Sequence, residues 1–146
     1  WRVLLRLHPQ LAAKMNEMPL LSKDERLIDV SQAPDISEIM AACDAVITDY
    51  SSCAFDAAFA KIPVFLYADD VQEYIKNRGQ FMWKREELPF SIAETNDQLE
   101  ENINTFDQQQ YQTLIEGFME QHEVCEDGQA SKRVVDRILA VFEQEL

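Results

Sequence analysis

The chain has 146 residues, of which 27 are acidic and 13 are lysine or arginine, and its formal net charge is −14 at pH 7. This length favours one domain with a proper hydrophobic core over two domains. The negative charge argues against a surface that binds nucleic acid or anionic lipid. The apolar runs are far shorter than the roughly 20 residues that span a bilayer, and the sequence has no signal-peptide pattern.

The predicted elements alternate between short apolar strands and helices. In chain order, the predicted strands cover residues 2–8, 25–30, 45–48, 62–67 and 89–93. The predicted helices cover residues 34–43, 53–60, 69–77, 95–105, 107–122 and 129–145, and residues 11–18 are expected to be irregular or a short helix. Nearly continuous apolar strands separated by helices indicate a parallel sheet that is covered on both faces. The sequence therefore predicts an α/β fold, a Rossmann-like sheet with helices on both faces, in a single domain over residues 1–146.

Two further predictions concern the start of the chain and its final helix. The chain opens inside an apolar strand-like run and has no initiator methionine, so we expect it to be a fragment of a longer protein. The final predicted helix repeats apolar residues at helical spacing, and this stripe is expected to pack on the sheet. The stripe consists of Val134, Val135, Ile138, Leu139 and Phe142.

The cysteines predict no metal site and no disulfide. Cys43, Cys53 and Cys125 are odd in number and lack metal-ligand spacing. Cys43 and Cys53 lie in apolar helical contexts, where buried free thiols are common. A reducing, cytosolic setting is expected.

The strongest functional signal follows the third predicted strand, where Asp49 and Tyr50 lead into Ser51 and Ser52. Backbone N–H groups at a helix start, with two hydroxyls beside them, can bind phosphate, although a serine there can also simply cap the helix. Asp56 follows among apolar residues that are predicted to be buried. A carboxylate in such surroundings needs a partner, and the hydroxyls of a nucleotide ribose would supply one. The alternative is that Asp56 forms a salt bridge or lies at a water-exposed edge.

Two further segments are candidates for anion binding. His8 ends the first predicted strand close to Arg6, at the edge where sheet ligands bind, so it is either a phosphate-side acid or base or a structural histidine. Near the end of the chain, Ser131 and Lys132 follow an Asp-Gly turn and form a possible second anion site. For that segment, a glycine turn with a serine cap and surface cations is the favoured interpretation. His122 lies in a polar helical stretch and is expected to be exposed.

These segments resemble the CDP-glycerol glycerophosphotransferases, a family that includes the teichoic acid polymerases. The resemblance covers nearly the whole chain and is strongest at Asp44-Ala45-Val46-Ile47-Thr48-Asp49-Tyr50-Ser51-Ser52 with Phe55-Asp56. It also includes Arg6-Leu7-His8-Pro9, where the family usually has proline in place of Leu7, and the closing Asp127-Gly128-Gln129-Ala130-Ser131.

The resemblance implies that the chain is the C-terminal, donor-binding domain of a two-domain GT-B enzyme. Such an enzyme transfers glycerol phosphate from CDP-glycerol to a hydroxyl of a lipid-linked acceptor and releases CMP, without a cofactor or metal. By the same resemblance, Ser51 and Ser52 hold the donor phosphates, Asp56 holds the ribose, and His8 takes part in catalysis. Arg6, close to His8 in sequence, is expected to add positive charge at the donor phosphates. The family's other important histidine lies in the N-terminal domain, which this sequence lacks, so the fragment by itself is expected to be inactive. The parent protein is expected to be peripheral at the cytoplasmic face of the cell membrane.

Several alternatives remain open at this stage. A GT-B glycosyltransferase that uses a nucleotide sugar would have a similar fold and phosphate site. A non-catalytic nucleotide-binding domain, with His8 as a structural residue, is the alternative from another functional class. The sequence does not distinguish a CDP-glycerol donor from CDP-ribitol, nor does it identify the acceptor.

Overall fold

The computed structural model of the protein describes residues 1–12, 24–79 and 82–144. The described strands are β1 (Val3–Leu5), β2 (Leu27–Asp29), β3 (Val46–Thr48), β4 (Val64–Tyr67) and β5 (Ser91–Ala93). The described helices are α1 (Pro9–Ala12), α2 (Ile36–Ala41), α3 (Cys53–Phe59), α4 (Val71–Arg78), α5 (Asn96–Asn104), α6 (Gln108–Gln121) and α7 (Ala130–Gln144). A 3₁₀ turn spans Arg85–Glu87.

The strands confirm the predicted α/β class, although they pair in two sheets instead of one. Strands β1 and β2 form a parallel pair, and β3, β4 and β5 form a parallel sheet in that order. The chain divides into two compact units, Trp1–Ala42 and Cys43–Leu146, and each sheet belongs to one of them. The expected single domain over residues 1–146 stays a prediction.

In the first unit, the first strand ends earlier than predicted. Strand β1 ends at Leu5. Two residues later, the Leu7 amide donates to the Ser31 hydroxyl at 3.0 Å instead of to a neighbouring strand. The predicted turn at Pro9 is the first residue of α1, a position that proline tolerates because a helix leaves that amide unpaired. Of the segment predicted over residues 11–18, residues 13–18 lie outside the described residues.

Helix α2 begins where its capping residue predicts. Asp35, not Ser31, is the N-cap, and its carboxylate accepts a hydrogen bond from the Ser37 amide at 2.8 Å. This bond pairs one of the amides that a helix start otherwise leaves without a partner.

The core of the second unit lies around β4 and the helices α3 and α6. Most of β4 is buried, as expected for a central parallel strand, and α3 turns its alanines inward. The buried apolar residues of these three elements are Ala54, Ala57, Ala58, Val64, Phe65, Leu66, Tyr111, Ile115 and Phe118. This core supports the carboxyl-terminal ends of β3 and β4.

Helix α7 forms as predicted, but its apolar stripe does not pack on the sheet. The five predicted stripe residues are between 50% and 61% exposed. Helical spacing places these side chains on one face, but it does not specify a partner for that face. The expectation that this helix covers the sheet is therefore wrong for the described structure.

The three cysteines form no disulfide with one another in the described structure, and they differ in exposure. Cys43 and Cys53 are half-buried and Cys125 is exposed. The Cys53 Sγ atom lies 3.8 Å from the Thr48 hydroxyl oxygen, which places this thiol against the end of β3. Its position agrees with a structural role.

Candidate functional site

The β3–α3 turn, residues Asp49–Ser52, connects the partly exposed strand β3 to a helix start. Ser51 and Ser52 are both exposed. The Ser51 hydroxyl accepts a long hydrogen bond, 3.4 Å, from the Cys53 amide. Ser52 occupies the N-cap position, yet within the described residues its hydroxyl makes no capping bond. The two hydroxyls therefore form little hydrogen bonding to the backbone amides at the start of α3. They are able to bind a ligand instead.

A cavity of about 180 Å³ lies beside this turn. Part of its wall comes from residues just beyond the carboxyl-terminal ends of β3 and β4, where ligands bind in open parallel sheets, and part from β5 and the segment that precedes it. Its polar side chains come from Asp49, Ser51, Ser52 and Arg85. Most of the remaining wall is apolar and includes Phe55, Leu66, Val71, Trp83 and Phe90. An apolar cleft with a few polar groups on one side is the usual form of a small-molecule site.

Arg85 adds a positive charge to the cavity wall. It lies in the 3₁₀ turn, and its guanidinium pairs with the Glu94 carboxylate at 2.6 Å, with both side chains partly exposed. Sequence analysis did not select Arg85, because it stands beside two glutamates and shares no motif with the serines. Its place beside Ser51 and Ser52 depends on the tertiary fold.

Tyr50 is a second residue that sequence analysis left without a role. Its hydroxyl donates to the Asp70 carboxylate at 2.6 Å, and its ring centroid is 3.9 Å from that of Tyr74. Burial, followed by this hydrogen bond and the nearby carboxylates, raises the pKa of Tyr50 well above its ordinary value. The hydroxyl is therefore a stable donor at neutral pH.

The structure corrects the expected surroundings of Asp56, which is exposed and not buried among its apolar sequence neighbours. Ala54, Ala57 and Ala58 form the inward face of α3, and Asp56 lies on another side of the helix. An exposed carboxylate needs no protein partner. Its predicted role with a ribose stays a prediction.

Aromatic rings pack beneath the cavity and hold its floor. The Phe55 ring lies 5.2 Å from Trp83, 5.2 Å from Phe90 and 5.6 Å from Phe118 between centroids. His122 packs 4.4 Å from Phe118 and is half-buried, so the expectation of an exposed histidine is wrong. His122 is the C-cap residue of α6, and its ring packs against the rings of Trp83 and Phe118.

Arg6 and His8 belong to the first compact unit, whereas the serines and Asp56 belong to the second. Arg6 is half-buried, and His8 is exposed just before α1, where its carbonyl oxygen accepts from the Leu11 and Ala12 amides at 2.8 and 2.9 Å. His8 therefore lies three residues after the end of β1 and directly before the first residue of α1. The sequence had predicted that His8 ends the strand. The phosphate-binding role of Arg6 and the catalytic role of His8 stay predictions.

The possible second anion site at the start of α7 is occupied by internal ion pairs. Lys132 pairs with Asp136 at 2.6 Å, and Ser131 is exposed. Arg133 pairs with Asp127 at 2.6 Å, and this pairing holds the pKa of Asp127 below its usual range. Local carboxylates already balance these cations, which agrees with the favoured interpretation of a turn with surface cations.

The described part of the chain holds neither a metal-ligand cluster nor a membrane-spanning helix. No cluster of histidine, cysteine, aspartate or glutamate there could hold a metal ion. None of the helices in residues 1–12, 24–79 and 82–144 is both long enough and apolar enough to cross a membrane.

Comparison with known proteins connects this site to one family. The family described as CDP-Glycerol:Poly(glycerophosphate) glycerophosphotransferase matches residues 1–140. A teichoic acid poly(glycerol phosphate) polymerase of Staphylococcus epidermidis is 36% identical over 139 residues, which are 93% of this chain and 19% of that polymerase. A teichoic acid poly(ribitol-phosphate) polymerase of Bacillus spizizenii is 35% identical over 118 residues, which are 80% of this chain and 18% of that polymerase.

A solved structure has the same fold. The wall teichoic acid polymerase TagF matches with a TM-score of 0.74 and 34% identity, over 99% of this chain and 36% of the TagF chain. A TagF histidine variant soaked with CDPG matches with a TM-score of 0.73. This likeness confirms the predicted α/β fold with parallel strands. The chain spans no more than about a third of the length of these relatives. It belongs to the CDP-glycerol:poly(glycerophosphate) glycerophosphotransferase family.

Proposed function

We propose that this chain is the donor-binding domain, the C-terminal half of a GT-B fold, of an enzyme that transfers glycerol phosphate from CDP-glycerol to a hydroxyl of a teichoic-acid-type acceptor. The observation that carries the proposal is the β3–α3 turn. Its two exposed serines border a cavity at the strand ends, in a chain that the glycerophosphotransferase family matches over residues 1–140. The TagF variant soaked with CDPG supports CDP-glycerol as the donor.

The proposed reaction is a displacement at the β-phosphorus, which bears the glycerol. The acceptor oxygen forms the new bond to this phosphorus while the bond to the bridging oxygen breaks. CMP leaves with that oxygen, and the acceptor hydroxyl gives up its proton. Phosphoryl transfer of this kind depends mainly on positioning and on charge stabilisation.

Each candidate residue has one part in this reaction. Ser51 and Ser52 bind the donor phosphates from the β3–α3 turn, and Arg6 adds positive charge. Asp56 accepts hydrogen bonds from the ribose hydroxyls, which suits an exposed carboxylate on the helix that follows the phosphate site. His8 stabilises or protonates the CMP leaving group.

The partners proposed for the full-length protein lie outside this chain. An N-terminal domain supplies the second half of the active site, and the acceptor is lipid-linked at the cytoplasmic face of the membrane. The share of each relative that the chain covers, 18% and 19% for the two polymerases, supports such a larger protein.

CDP-ribitol is the second candidate donor. The glycerol and ribitol polymerases match this chain at 36% and 35% identity, so overall similarity does not separate the two polyols. A test of both CDP-polyols therefore belongs in the first experiment.

The binding test uses titration calorimetry on the full-length protein with CDP-glycerol, CDP-ribitol, CDP and UDP. We expect the cytidine ligands to bind in preference to UDP and Asp56→Ala to weaken them. Asp97→Ala is the matched control, because Asp97 is also an exposed acidic residue in the first turn of a helix, α5. Equal effects of the two substitutions would remove the ribose role of Asp56, and preference for a UDP-sugar would favour the glycosyltransferase alternative.

The turnover test uses His8→Ala in the same protein. We expect donor affinity to stay close to wild type and the rate of CMP release to fall about 10²–10³-fold, as for the loss of one preorganised charge-stabilising group. Unchanged turnover would leave His8 a structural residue. Binding of cytidine nucleotides without any transfer to an acceptor would favour the non-catalytic alternative.

A further inference from the structure

Tyr50 connects the β3–α3 turn to the next strand-to-helix turn of the same sheet. It lies between Asp49 and Ser51, and its hydroxyl donates to the Asp70 carboxylate at 2.6 Å. Asp70 is the N-cap residue of α4, but within the described residues its side chain makes no capping bond. The Asp70 carboxylate therefore does not cap α4 in the usual way. It accepts a hydrogen bond from Tyr50, in the turn that carries the serines.

A second contact fixes the face of the Tyr50 ring. The ring of Tyr74 lies 3.9 Å from it between centroids, with 31° between the ring planes. Tyr74 is one helical turn beyond Asp70, and its amide donates to the Asp70 carbonyl at 2.9 Å. Because both contacts come from the first turn of α4, they constrain the hydroxyl end and the face of the same side chain.

Within the described residues, the two serine side chains of the turn make little hydrogen bonding of their own to the helix start. The Ser51 hydroxyl accepts from the Cys53 amide at 3.4 Å, which is long for a hydrogen bond, and the Ser52 hydroxyl makes no capping bond within the described residues. A hydrogen bond to a charged carboxylate is shorter and stronger than a neutral one. The Tyr50–Asp70 bond is thus the firmest side-chain contact of the turn among those described here.

We propose that Tyr50 is a positioning residue, held by Asp70 and Tyr74, that sets the geometry in which Ser51 and Ser52 meet the donor phosphates. This inference rests on the proposed function of the serines. Its physical basis is that a displacement of about 1 Å in a reactive site can cost on the order of 10²-fold in rate, even when the displaced group is not itself lost.

The test compares Tyr50→Phe with Tyr111→Phe in the full-length protein. Both substitutions remove one phenolic hydroxyl that donates a hydrogen bond, to Asp70 at 2.6 Å in one case and to the Ile62 carbonyl at 2.8 Å in the other. Tyr111 lines no part of the cavity beside the serines. We expect both variants to lose similar thermal stability. Only Tyr50→Phe should bind CDP-glycerol more weakly, by up to about tenfold, because the displaced serines can pass on to the ligand at most the free energy of the one internal hydrogen bond that is lost.

A ligand comparison separates positioning from general damage. Cytidine lacks phosphate, so its affinity should be the same in wild type and in Tyr50→Phe if Tyr50 acts through the serines. A parallel loss for cytidine and CDP-glycerol would overturn the positioning role, since a distorted domain would weaken both ligands.

Asp70 supplies a second set of variants that keeps the inference testable if Tyr50→Phe folds poorly. Asp70→Asn keeps an oxygen that can accept from Tyr50, and Asp70→Ala removes it. We expect Asp70→Asn to retain most of the CDP-glycerol affinity and Asp70→Ala to match Tyr50→Phe. The double variant should be no weaker than either single one, because both remove the same bond.

The outcomes distinguish this inference from the proposed function. If wild-type protein does not bind CDP-glycerol or CDP-ribitol, the proposed function fails and the inference fails with it. If wild type binds, and Tyr50→Phe and Asp70→Ala bind as tightly as wild type, the positioning role alone is overturned.

Discussion

Helices α6 and α7 are similar in length and both are amphipathic, yet they differ in what covers their apolar faces. Helix α6 has 14 residues and buries Tyr111, Ile115 and Phe118. Helix α7 has 15 residues, and its five stripe residues are at least 50% exposed. An apolar stripe therefore predicts a helix, but it does not identify what the helix packs against.

The contacts of the two helices explain the contrast. On α6, Phe118 stacks on Phe55, and Tyr111 donates its hydroxyl to the Ile62 carbonyl 49 residues away. The ion pairs described for α7 are instead local, between Lys132 and Asp136 and between Arg133 and Asp127. Helix α6 is thus fixed by tertiary contacts, whereas α7 is supported by residues close to it in sequence.

The largest expected effect comes from truncating a ring on each helix. Phe118→Ala should lower the free energy of unfolding by about 3–5 kcal/mol, because it opens a cavity among packed aromatic rings. Phe142→Ala is the matched change on α7, and at 61% exposure it should alter stability by no more than about 0.5 kcal/mol. Urea unfolding measures both, and equal losses would show that the α7 face is covered in solution.

A smaller effect is expected from the hydroxyl of Tyr111. Tyr111→Phe should cost about 1 kcal/mol, since it leaves the half-buried Ile62 carbonyl without this hydrogen-bond donor. Thr113→Val is the control, because it removes a hydroxyl that bonds the Gln109 carbonyl on the exposed side of the same helix. Urea unfolding at neutral pH should show a clear loss for the first variant and almost none for the second.

The same tyrosine predicts a pH dependence. Burial is the main reason that the pKa of Tyr111 rises to about 12, from an ordinary value of 10.0. A raised pKa means that the native state favours the protonated form, so this stabilisation is present below pH 10 and is lost as the pH approaches 12. The stability difference between wild type and Tyr111→Phe should therefore shrink over that range, and a constant difference from pH 9 to 12 would contradict the assignment.

The smallest effect is expected at the start of α7. The pKa of Asp127 is lowered mainly by its hydrogen bond to Arg133 and then by the Gln129 amide. A lowered pKa contributes stability above the ordinary value of 3.8 that is lost as the pH falls through the lower native value. Asp127→Asn should change unfolding only slightly at pH 7, because exposed ion pairs contribute little. A large loss that high salt does not reduce would show that the pair is more than a surface contact.

Sequence analysis predicted the local features of the site better than their surroundings. The strand, the turn with Ser51 and Ser52 and the helix that follows all form close to their predicted places, because apolar runs and helix-start residues act over a few positions. The neighbours of Asp56 in sequence suggested buried surroundings, with a water-exposed edge as the alternative, and the structure has Asp56 exposed because the helix places its buried alanines on another face.

The sequence by itself determined the α/β class, most element positions and the family to which the chain belongs. The pairing of distant residues depends on the tertiary fold, which brings Tyr50 to Asp70 and places Arg85 in the wall of the cavity that Ser51 and Ser52 also line. The same holds for the apolar face of α7, which periodicity defines and which the described fold leaves exposed. The physical reason is that backbone preferences and caps depend on adjacent residues, whereas side-chain partners depend on how the whole chain brings separate elements together.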